Sequence, residues 1–275
     1  MRAKLRTRRN ADRDPFRRLN YRTMQKLIIA LLLSRAAAAK TGDESKTASP
    51  KCVPGDLLQM RCEGTATYQV KFTGQWTAEN FPVDYPENAH WSPLVGATHK
   101  TYDAFWYRKG LATPGVQEVA ETGSPTTLLA ELDNDMYLSS ARAAGPVFQR
   151  DGPPTEMMIE LTADSMNDQL TVISMVAPSP DWFSGVASLD LCNHNTGEWK
   201  DSITLDLKAY DAGTDRGMTF TAADDAIPSA DQKIIKTVKC RGYAFCGELG
   251  DESPAEVTGV ATLEITVKEI TMKQS

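Results

Sequence analysis

The chain has 275 residues, a hydrophobic content of 41% and a formal net charge of −6 at pH 7. This length allows one large domain or two small ones, and the composition argues against a wholly disordered chain. Residues 1–23 contain nine Arg or Lys and two Asp, so the rest of the chain carries a charge of −13. This acidic body argues against nucleic-acid binding, because phosphate contacts require clusters of Lys and Arg.

The N-terminal region has the features of a basic leader followed by a signal-like segment, over residues 1–39. Residues 1–23 show no apolar periodicity and are predicted to be disordered. The apolar run at residues 27–33 follows a lysine and precedes small residues up to Ala39, which is the order of a secretory signal peptide. No segment is long and apolar enough to span a bilayer. We therefore predict secretion with cleavage near Ala39, and a true start at Met24 would account for the basic residues before the signal-like segment. An organelle transit peptide and a noncleaved leader are the alternatives.

Residues 40–51 are small, polar and charged, and we predict a flexible linker there, followed by one folded domain over residues 52–272. The five cysteines contain no C-x-x-C pair, which argues against zinc ribbons and thioredoxin-like redox chemistry. In a secreted chain, disulfides are the default state of cysteine. Cys240 and Cys246 could join locally, or one of them could pair with Cys52.

The folded region is predicted to consist mainly of strands. Apolar residues alternate with polar ones, or run continuously, in short segments that Pro and Gly separate. These segments are residues 68–72, 157–161, 170–176, 203–207 and 263–267. Short helices are predicted at residues 116–121 and from an N-cap at Ser124 to Leu132. This pattern favours a mainly β fold, an antiparallel β-sandwich with a few short helices.

Catalytic motifs are absent from the sequence. It contains no G-x-S-x-G, H-E-x-x-H or P-loop. His90 and His99 bracket the segment HWSPLVGATH, and Ser92 could be paired with either, but a packed, hydrogen-bonded histidine is the favoured interpretation. His194 lies in a polar loop and is predicted to be solvated. Four of the five tryptophans are predicted to fill the core, whereas Trp182, which follows Asp181 directly, could either wall a metal site or plug the end of the sandwich.

Three aspartates mark two turns that flank strand-like segments. Asp181 follows the strand predicted at residues 170–176, while Asp211 and Asp215 lie in the DAGTD turn after residues 203–207. If both turns lie at one end of a sheet, the carboxylates converge and repel one another unless a cation neutralises them. Hard oxygen ligands favour calcium or magnesium, whereas the alternative is that these aspartates only stabilise turns.

Several ordered segments resemble the spondin domain family, the module of F-spondin and mindin. They are GTATYQVKFTGQW, HWSPLVGATH, GVQEVAETGSP, PSPDWFSGVASLDLC and DLKAYDAGTDRGMTF, and they span about Cys62 to Phe220. The resemblance implies a β-sandwich whose end loops hold Ca²⁺ or another divalent cation, with Asp181, Asp211 and Asp215 as ligands. It also implies a Cys62–Cys192 disulfide.

By the same resemblance, Glu160 is a candidate fourth ligand, although this chain is two residues longer than the family pattern between Glu160 and Leu170. The implied function is that of a secreted, extracellular protein in cell adhesion or matrix recognition, with a cell-surface or matrix protein or glycan as partner. It is not expected to be an enzyme.

Two alternatives use the same acidic turns. A secreted hydrolase with a calcium-supported acidic site would need Asp181 or His90 as a general acid or base in a deep cleft. A calcium-dependent membrane-surface module would need exposed basic or apolar tips, for which Phe183, Lys200 and Arg216 are candidates.

Overall fold

The computed structural model describes residues 60–82, 85–100, 104–134, 138–143, 147–148, 155–240, 245 and 255–272. The chain divides into the units Met1–Asp56 and Leu57–Ser275, and all described residues belong to the second. The predicted leader, signal-like segment and linker therefore lie outside the described residues. Within the described part, no helix is long and apolar enough to cross a membrane.

Strands dominate the described part of the chain, as the sequence predicts. They are β1 Thr65–Gly74, β2 His90–Trp91, β3 Val95–His99, β4 Leu138–Ala143, β5 Val147–Phe148, β6 Glu156–Asp164, β7 Gln169–Ala177, β8 Trp182–Asp190, β9 Cys192–Asn193, β10 Glu198–Trp199, β11 Ser202–Asp211, β12 Lys236–Thr237 and β13 Thr258–Thr271. The helices are α1, Pro114–Thr122, and α2, Thr126–Asp133.

The main sheet is antiparallel and folds back on itself. Its strand order is β4-β3-β7-β8-β11-β13-β1-β6, with β2, β5 and β12 attached at the side. The last strand, β6, packs against β3 and β4, so the two ends of the sheet face each other. The predicted antiparallel β-sandwich is confirmed, and it arises from one continuous sheet that encloses its core.

The burial of each strand follows its sequence pattern. In β1, Ala66, Tyr68, Val70 and Phe72 are buried, whereas the residues between them are half-exposed. Strand β7 is buried at every position, as its continuous apolar run predicts. One of its faces contacts the sandwich core, and the other lies under the two helices, where Ile173 joins a second cluster.

Aromatic rings close one end of the sandwich. Trp182 is fully buried, and its ring centroid lies 5.3 Å from Phe220 and 5.2 Å from Phe245. Trp76 packs on the same group, 5.0 Å from Phe220. All five tryptophans are at most 7% exposed, which confirms the core position predicted for four of them; of the two alternatives for Trp182, its burial among these rings favours the plug.

Each of the two helices caps the other through a glutamate. Thr113 caps α1, and Glu131 of α2 accepts hydrogen bonds from the Gly115 N–H and the Thr113 hydroxyl, at 2.8 and 2.7 Å. In return, Glu118 of α1 accepts the Thr127 N–H at 2.8 Å. The predicted Ser124 cap is confirmed in part: α2 begins at Thr126 after Pro125, and the Ser124 hydroxyl accepts the Thr126 N–H at 3.4 Å, whereas Glu118 satisfies the Thr127 N–H.

A disulfide joins Cys62 to Cys192, as the family resemblance implies, across a sequence separation of 130 residues. Both cysteines are buried in the main core. Cys240 is also disulfide-bonded. Because the first bond uses the other two described cysteines, the partner of Cys240 lies outside the described residues, and the choice between Cys52 and Cys246 stays a prediction.

The double variant Cys62→Ala/Cys192→Ala should be less stable than wild type by up to about 5 kcal/mol, because the unfolded chain regains the entropy of a long open loop. Urea unfolding under non-reducing conditions measures this loss. The Cys240 bond is left intact in the variant and serves as the control for normal oxidation. An unchanged unfolding midpoint would contradict a stabilising role for the Cys62–Cys192 bond.

Candidate metal centre

The sheet brings the three predicted aspartates to the same end of the sandwich. Asp181 immediately precedes β8, and Asp211 is the last residue of β11. These strands pair antiparallel, with Trp182 opposite Asp211, so the β7–β8 turn and the DAGTD turn lie side by side. Asp215 joins them, because its backbone N–H donates to Asp181 Oδ2 at 3.1 Å.

The DAGTD turn depends on glycine at its centre. Gly213 has φ +76°, in the left-handed region, and its N–H donates to Asp211 Oδ1 at 2.9 Å. A Cβ at this position would collide with the Lys233 carbonyl. The predicted tight turn is confirmed, and no larger residue fits there without moving the neighbouring segment.

Asp181 is the most enclosed of the three carboxylates, with 0% of its surface exposed. Its Oδ2 accepts hydrogen bonds from the Thr214 N–H at 2.8 Å, the Thr214 hydroxyl at 3.3 Å and the Asp215 N–H at 3.1 Å. Its Oδ1 is buried and has no hydrogen-bond partner among the described residues. A buried carboxylate oxygen without a donor is unfavourable, so this atom is a natural ligand for a cation.

The other two carboxylates already bind protein donors. Asp211 Oδ2 lies 3.1 Å from the Lys236 ammonium, and no sequence pattern predicted this ion pair. Asp215 accepts the Gly217 N–H at 2.6 Å and the Asp225 N–H at 2.8 Å. The three aspartates do not bring ligand atoms within 4.8 Å of one another as a set. A shared cation would therefore require side-chain rotation and a shift of Lys236.

The surroundings of Asp181 disfavour its charged form. Burial, followed by the negative charge of Asp211, raises the pKa of the Asp181 carboxyl to about 7. The N–H groups of Thr214 and Asp215 act in the opposite direction, but they do not outweigh burial. A bound cation would supply the missing positive charge next to this group.

Glu160 and Asp206 lie within strands β6 and β11, and neither is paired with a strand position next to the three aspartates. Glu160 is exposed on β6, opposite Gln69 of β1. Asp206 is exposed on β11, as its alternation with buried leucines predicts. A ligand role for Glu160 finds no support in this placement.

Both histidines of the segment HWSPLVGATH contact backbone carbonyls, and His90 Nδ1 lies 2.8 Å from the Asn88 carbonyl. His99 is fully buried, and its ring nitrogens lie 2.7 Å from the Lys100 carbonyl and 2.7 Å from the Thr171 hydroxyl. Ser92 is also buried, and its hydroxyl accepts the Met175 N–H at 2.8 Å. These contacts confirm a packed, hydrogen-bonded His99 and do not form the Ser–His pair that acyl transfer requires.

Two expectations for the loops are wrong. Phe183 is fully buried in the cluster under the helices, so it cannot act as a membrane-inserting tip. His194 is not simply solvated: its side chain is 26% exposed, and Nε2 lies 3.4 Å from Asp168 Oδ2. His194 follows the disulfide-bonded Cys192 by two residues, so the disulfide holds it close to the folded domain. This spacing is a weak sequence signal for the contact between His194 and Asp168.

In the presence of a chelator, the free energy of unfolding should decrease as pH rises from about 4 to about 7. The unfolded chain releases the Asp181 proton near pH 4, whereas the folded chain retains it up to a pKa of about 7, so deprotonation favours unfolding in this window. The contribution of this group is at most roughly 1.4 kcal/mol per pH unit. Urea unfolding across this range should show a shallower decline for Asp181→Asn than for wild type.

Asp206→Asn is the matched control, because it removes an exposed carboxylate from the same sheet. Its pH profile should follow that of wild type. Parallel profiles for wild type and Asp181→Asn would contradict a raised pKa at Asp181.

Comparison with known proteins places the chain among the spondins. The family model described as Spondin_N matches residues 66–242. Spondin-1 of Mus musculus is 34% identical over 178 residues, which cover 63% of this chain and 22% of that protein. Spondin-2 of Rattus norvegicus is 32% identical over 212 residues, which cover 74% of this chain and 58% of that protein.

The match is confined to part of each relative. Spondin-2 of Homo sapiens is 35% identical over 168 residues, covering 58% of this chain and 49% of that protein. The chain thus spans about a fifth of the length of the spondin-1 relatives and about half that of the spondin-2 relatives. The matched residues 66–242 contain most of the strands, Cys192 and the three aspartates, whereas Cys62 and β13 lie outside them. The chain belongs to the spondin N-terminal domain family.

Proposed function

We propose that this protein is a secreted β-sandwich that binds a divalent cation, calcium in the first instance, and acts in cell adhesion or in recognition within the extracellular matrix. Its partner would be a cell-surface or matrix protein or a glycan. The proposal assigns it a binding role and no catalytic step.

The observation that carries the cation proposal is the environment of Asp181. Its carboxylate is fully buried beside two further aspartates, and Oδ1 has no donor among the described residues. Protein interiors rarely leave such an atom without a partner, because the desolvation penalty is not offset. A cation at Oδ1 would satisfy this oxygen and reduce the repulsion between the carboxylates.

Asp181, Asp211 and Asp215 would hold the ion, and main-chain carbonyls and water would complete the oxygen shell that calcium prefers. Asp211 Oδ2 would exchange the Lys236 ammonium for the ion. The Lys236 side chain is 51% exposed, so it can turn towards solvent without loss of packing. Cation binding would thereby change the charge presented at this end of the sandwich.

The surface next to the DAGTD turn offers groups for recognition. Leu111 and Ile234 are 56% and 49% exposed, and these two residues form an isolated β-bridge outside the strands. Lys233 is exposed and its N–H donates to the Gly213 carbonyl, which links this surface to the turn itself. Neighbouring exposed apolar side chains can mark protein interaction sites, and this surface adjoins the proposed ion.

Secretion agrees with the cysteine chemistry. The Cys62–Cys192 bond and the oxidised state of Cys240 are typical of proteins that fold in an oxidising compartment. The leader sequence supports the same compartment.

Calcium should raise the melting temperature of the purified chain relative to a chelator. At a free calcium concentration of 100 times Kd, the stabilisation is about 2.7 kcal/mol, which corresponds to roughly 5–11 °C for a domain of this size. The double variant Asp181→Asn/Asp211→Asn should lose this response. Differential scanning calorimetry in calcium and in chelator measures both.

Asp206→Asn again serves as the control, and its melting temperature should respond to calcium as wild type does. Identical melting curves of the wild-type chain in calcium and in chelator would mean that the three aspartates only stabilise their turns.

Binding of the chain to immobilised matrix proteins, glycans and cell surfaces should depend on calcium and should be lost in the Asp181→Asn/Asp211→Asn variant. Surface plasmon resonance with alternating calcium and chelator tests this directly. If a chelator does not change partner binding, recognition does not involve the cation site, even if the melting experiment shows that calcium binds.

A further inference from the structure

Basic side chains gather on one surface of a domain that is otherwise acidic. Residues 60–275 contain 16 Lys or Arg and 31 Asp or Glu. Six of these 16 lie in the turn at residues 107–110, on β11 and in a lysine-rich segment at residues 233–239. We call them the basic row, and they are Arg108, Lys109, Lys208, Lys233, Lys236 and Lys239.

Backbone pairing brings the three parts of the basic row together. The Lys109 N–H donates to the Ile235 carbonyl at 2.8 Å, so the turn lies against the lysine-rich segment. The same segment contains β12, in which Thr237 pairs with Tyr210 of β11, two residues after Lys208. The three parts therefore form one continuous surface.

A single glutamate lies among three of these cations. Glu256 accepts a hydrogen bond from the Lys208 ammonium at 2.6 Å, and its other carboxylate oxygen lies 3.5 Å from the Arg108 guanidinium. Lys239 forms a β-bridge with Glu256, and residues directly opposite in an antiparallel pair project from the same face. One carboxylate thus stands beside three cations and cannot neutralise them.

Several members of the basic row are available to another molecule. Lys109, Lys233 and Lys239 are exposed, and none of the three forms an ion pair within the described part of the chain. The Arg108 side chain is 55% exposed. An anion can therefore reach these four groups without displacing a buried contact.

The backbone of Lys109 supplies a second observation. Lys109 has φ +75°, in the left-handed region, and it lies in a turn closed by a hydrogen bond from the Gly110 N–H to the Tyr107 carbonyl at 3.0 Å. Glycine adopts this conformation more readily than lysine, and residues in such conformations cluster at functional sites. The fold thus accepts a backbone cost to present an exposed lysine at this turn.

The neighbouring carboxylates leave an excess of positive charge. Glu256 and Asp211 form ion pairs with members of the basic row. Asp206 and Asp231 are exposed at its border, each two residues before one of its lysines. Six cations therefore stand beside four carboxylates, in a domain whose acidic residues outnumber its basic ones almost two to one.

The shape of the lysine-rich segment favours a linear polyanion. The segment makes β-pairs at Ile234, at β12 and at Lys239, and its lysines recur at every third position from Lys233. Six residues of extended chain span roughly 20 Å. A single small anion contacts only part of this length, whereas a chain of sulfated sugars carries its charges in a line. Anionic lipids act mainly at the cytoplasmic leaflet, which a secreted protein does not meet.

We propose that the basic row binds a sulfated glycan chain, whose sulfate groups pair with Arg108, Lys109, Lys233 and Lys239. The inference deepens the recognition role proposed above and rests on the secreted location, since sulfated glycans lie outside cells. It does not rest on the cation site. The sulfated glycan would be a second ligand, held by charge, and its binding would need no calcium, unlike that of the partner proposed above.

Surface plasmon resonance on immobilised heparan sulfate, in chelator, should show binding that weakens as NaCl rises, because salt screens the ion pairs. Hyaluronan, which carries carboxylates but no sulfate, should bind more weakly. The variant Lys109→Gln/Lys239→Gln should bind heparan sulfate at least about tenfold more weakly than wild type and should melt at the same temperature. Lys268→Gln is the matched control, because it removes an exposed lysine near the other end of β13 from Glu256.

Lysine acetylation followed by mass spectrometry locates the glycan on the chain. Residues 1–23 are also basic and would attract the same probe, so the affinity of the wild-type chain does not identify the surface. Excess heparan sulfate should protect Lys109, Lys233 and Lys239 from acetylation and leave Lys268 reactive.

Three outcomes would overturn the inference. They are protection confined to lysines before residue 60, equal affinities of wild type and Lys109→Gln/Lys239→Gln, and tighter binding to phosphatidylserine vesicles than to heparan sulfate. Protection of the three lysines in a chain whose melting temperature does not respond to calcium would support the basic row and contradict only the cation site.

Discussion

The antiparallel pairing of β8 with β7 on one side and β11 on the other is the interaction on which the polar features of this structure depend. This pairing places Asp181 beside Asp211 at one end of β8 and Asp190 beside Gln169 at the other end. Strand β7 is buried along its whole length, so its partners cannot slip in register without exposing apolar side chains or burying polar ones. Hydrophobic burial along these strands therefore fixes the positions of the acidic side chains at both of their ends. The core holds the strands in place despite the repulsion between neighbouring carboxylates.

The two ends of the sandwich carry different polar side chains. At one end of the sandwich, the fully buried Asp181 accepts hydrogen bonds from the Thr214 and Asp215 N–H groups, and an aromatic cluster around Trp182 closes this end. At the other edge, an imidazole joins two carboxylates beside a disulfide. In both places, a buried oxygen lacks a donor among the described residues, which is unusual for a folded domain. The two ends of the sandwich therefore differ in chemistry, since one carries carboxylates alone and the other carries an imidazole as well.

Local sequence patterns predicted much of the fold because burial in a β-sandwich has a period of two. The alternation in β1 and the continuous apolar run of β7 match the observed burial residue by residue. The sequence also predicts the DAGTD turn, because a positive φ at its centre favours glycine. At the start of α2, the Ser124 hydroxyl accepts the Thr126 N–H as the local pattern predicts, but Glu118 of the neighbouring helix accepts the Thr127 N–H, and no rule on local capping includes a neighbouring helix.

The strands and the acidic turns are predictable from the sequence because they depend on residue types at short spacing, and the Cys62–Cys192 pair is predictable through the spondin resemblance. The contacts between charged groups, in contrast, become visible only in the folded domain. Lys236 reaches Asp211 across 25 positions of sequence, and His194 meets Asp168 across 26. Such contacts arise from strand order and register, which are set by long-range pairing, and no local pattern in the chain encodes them.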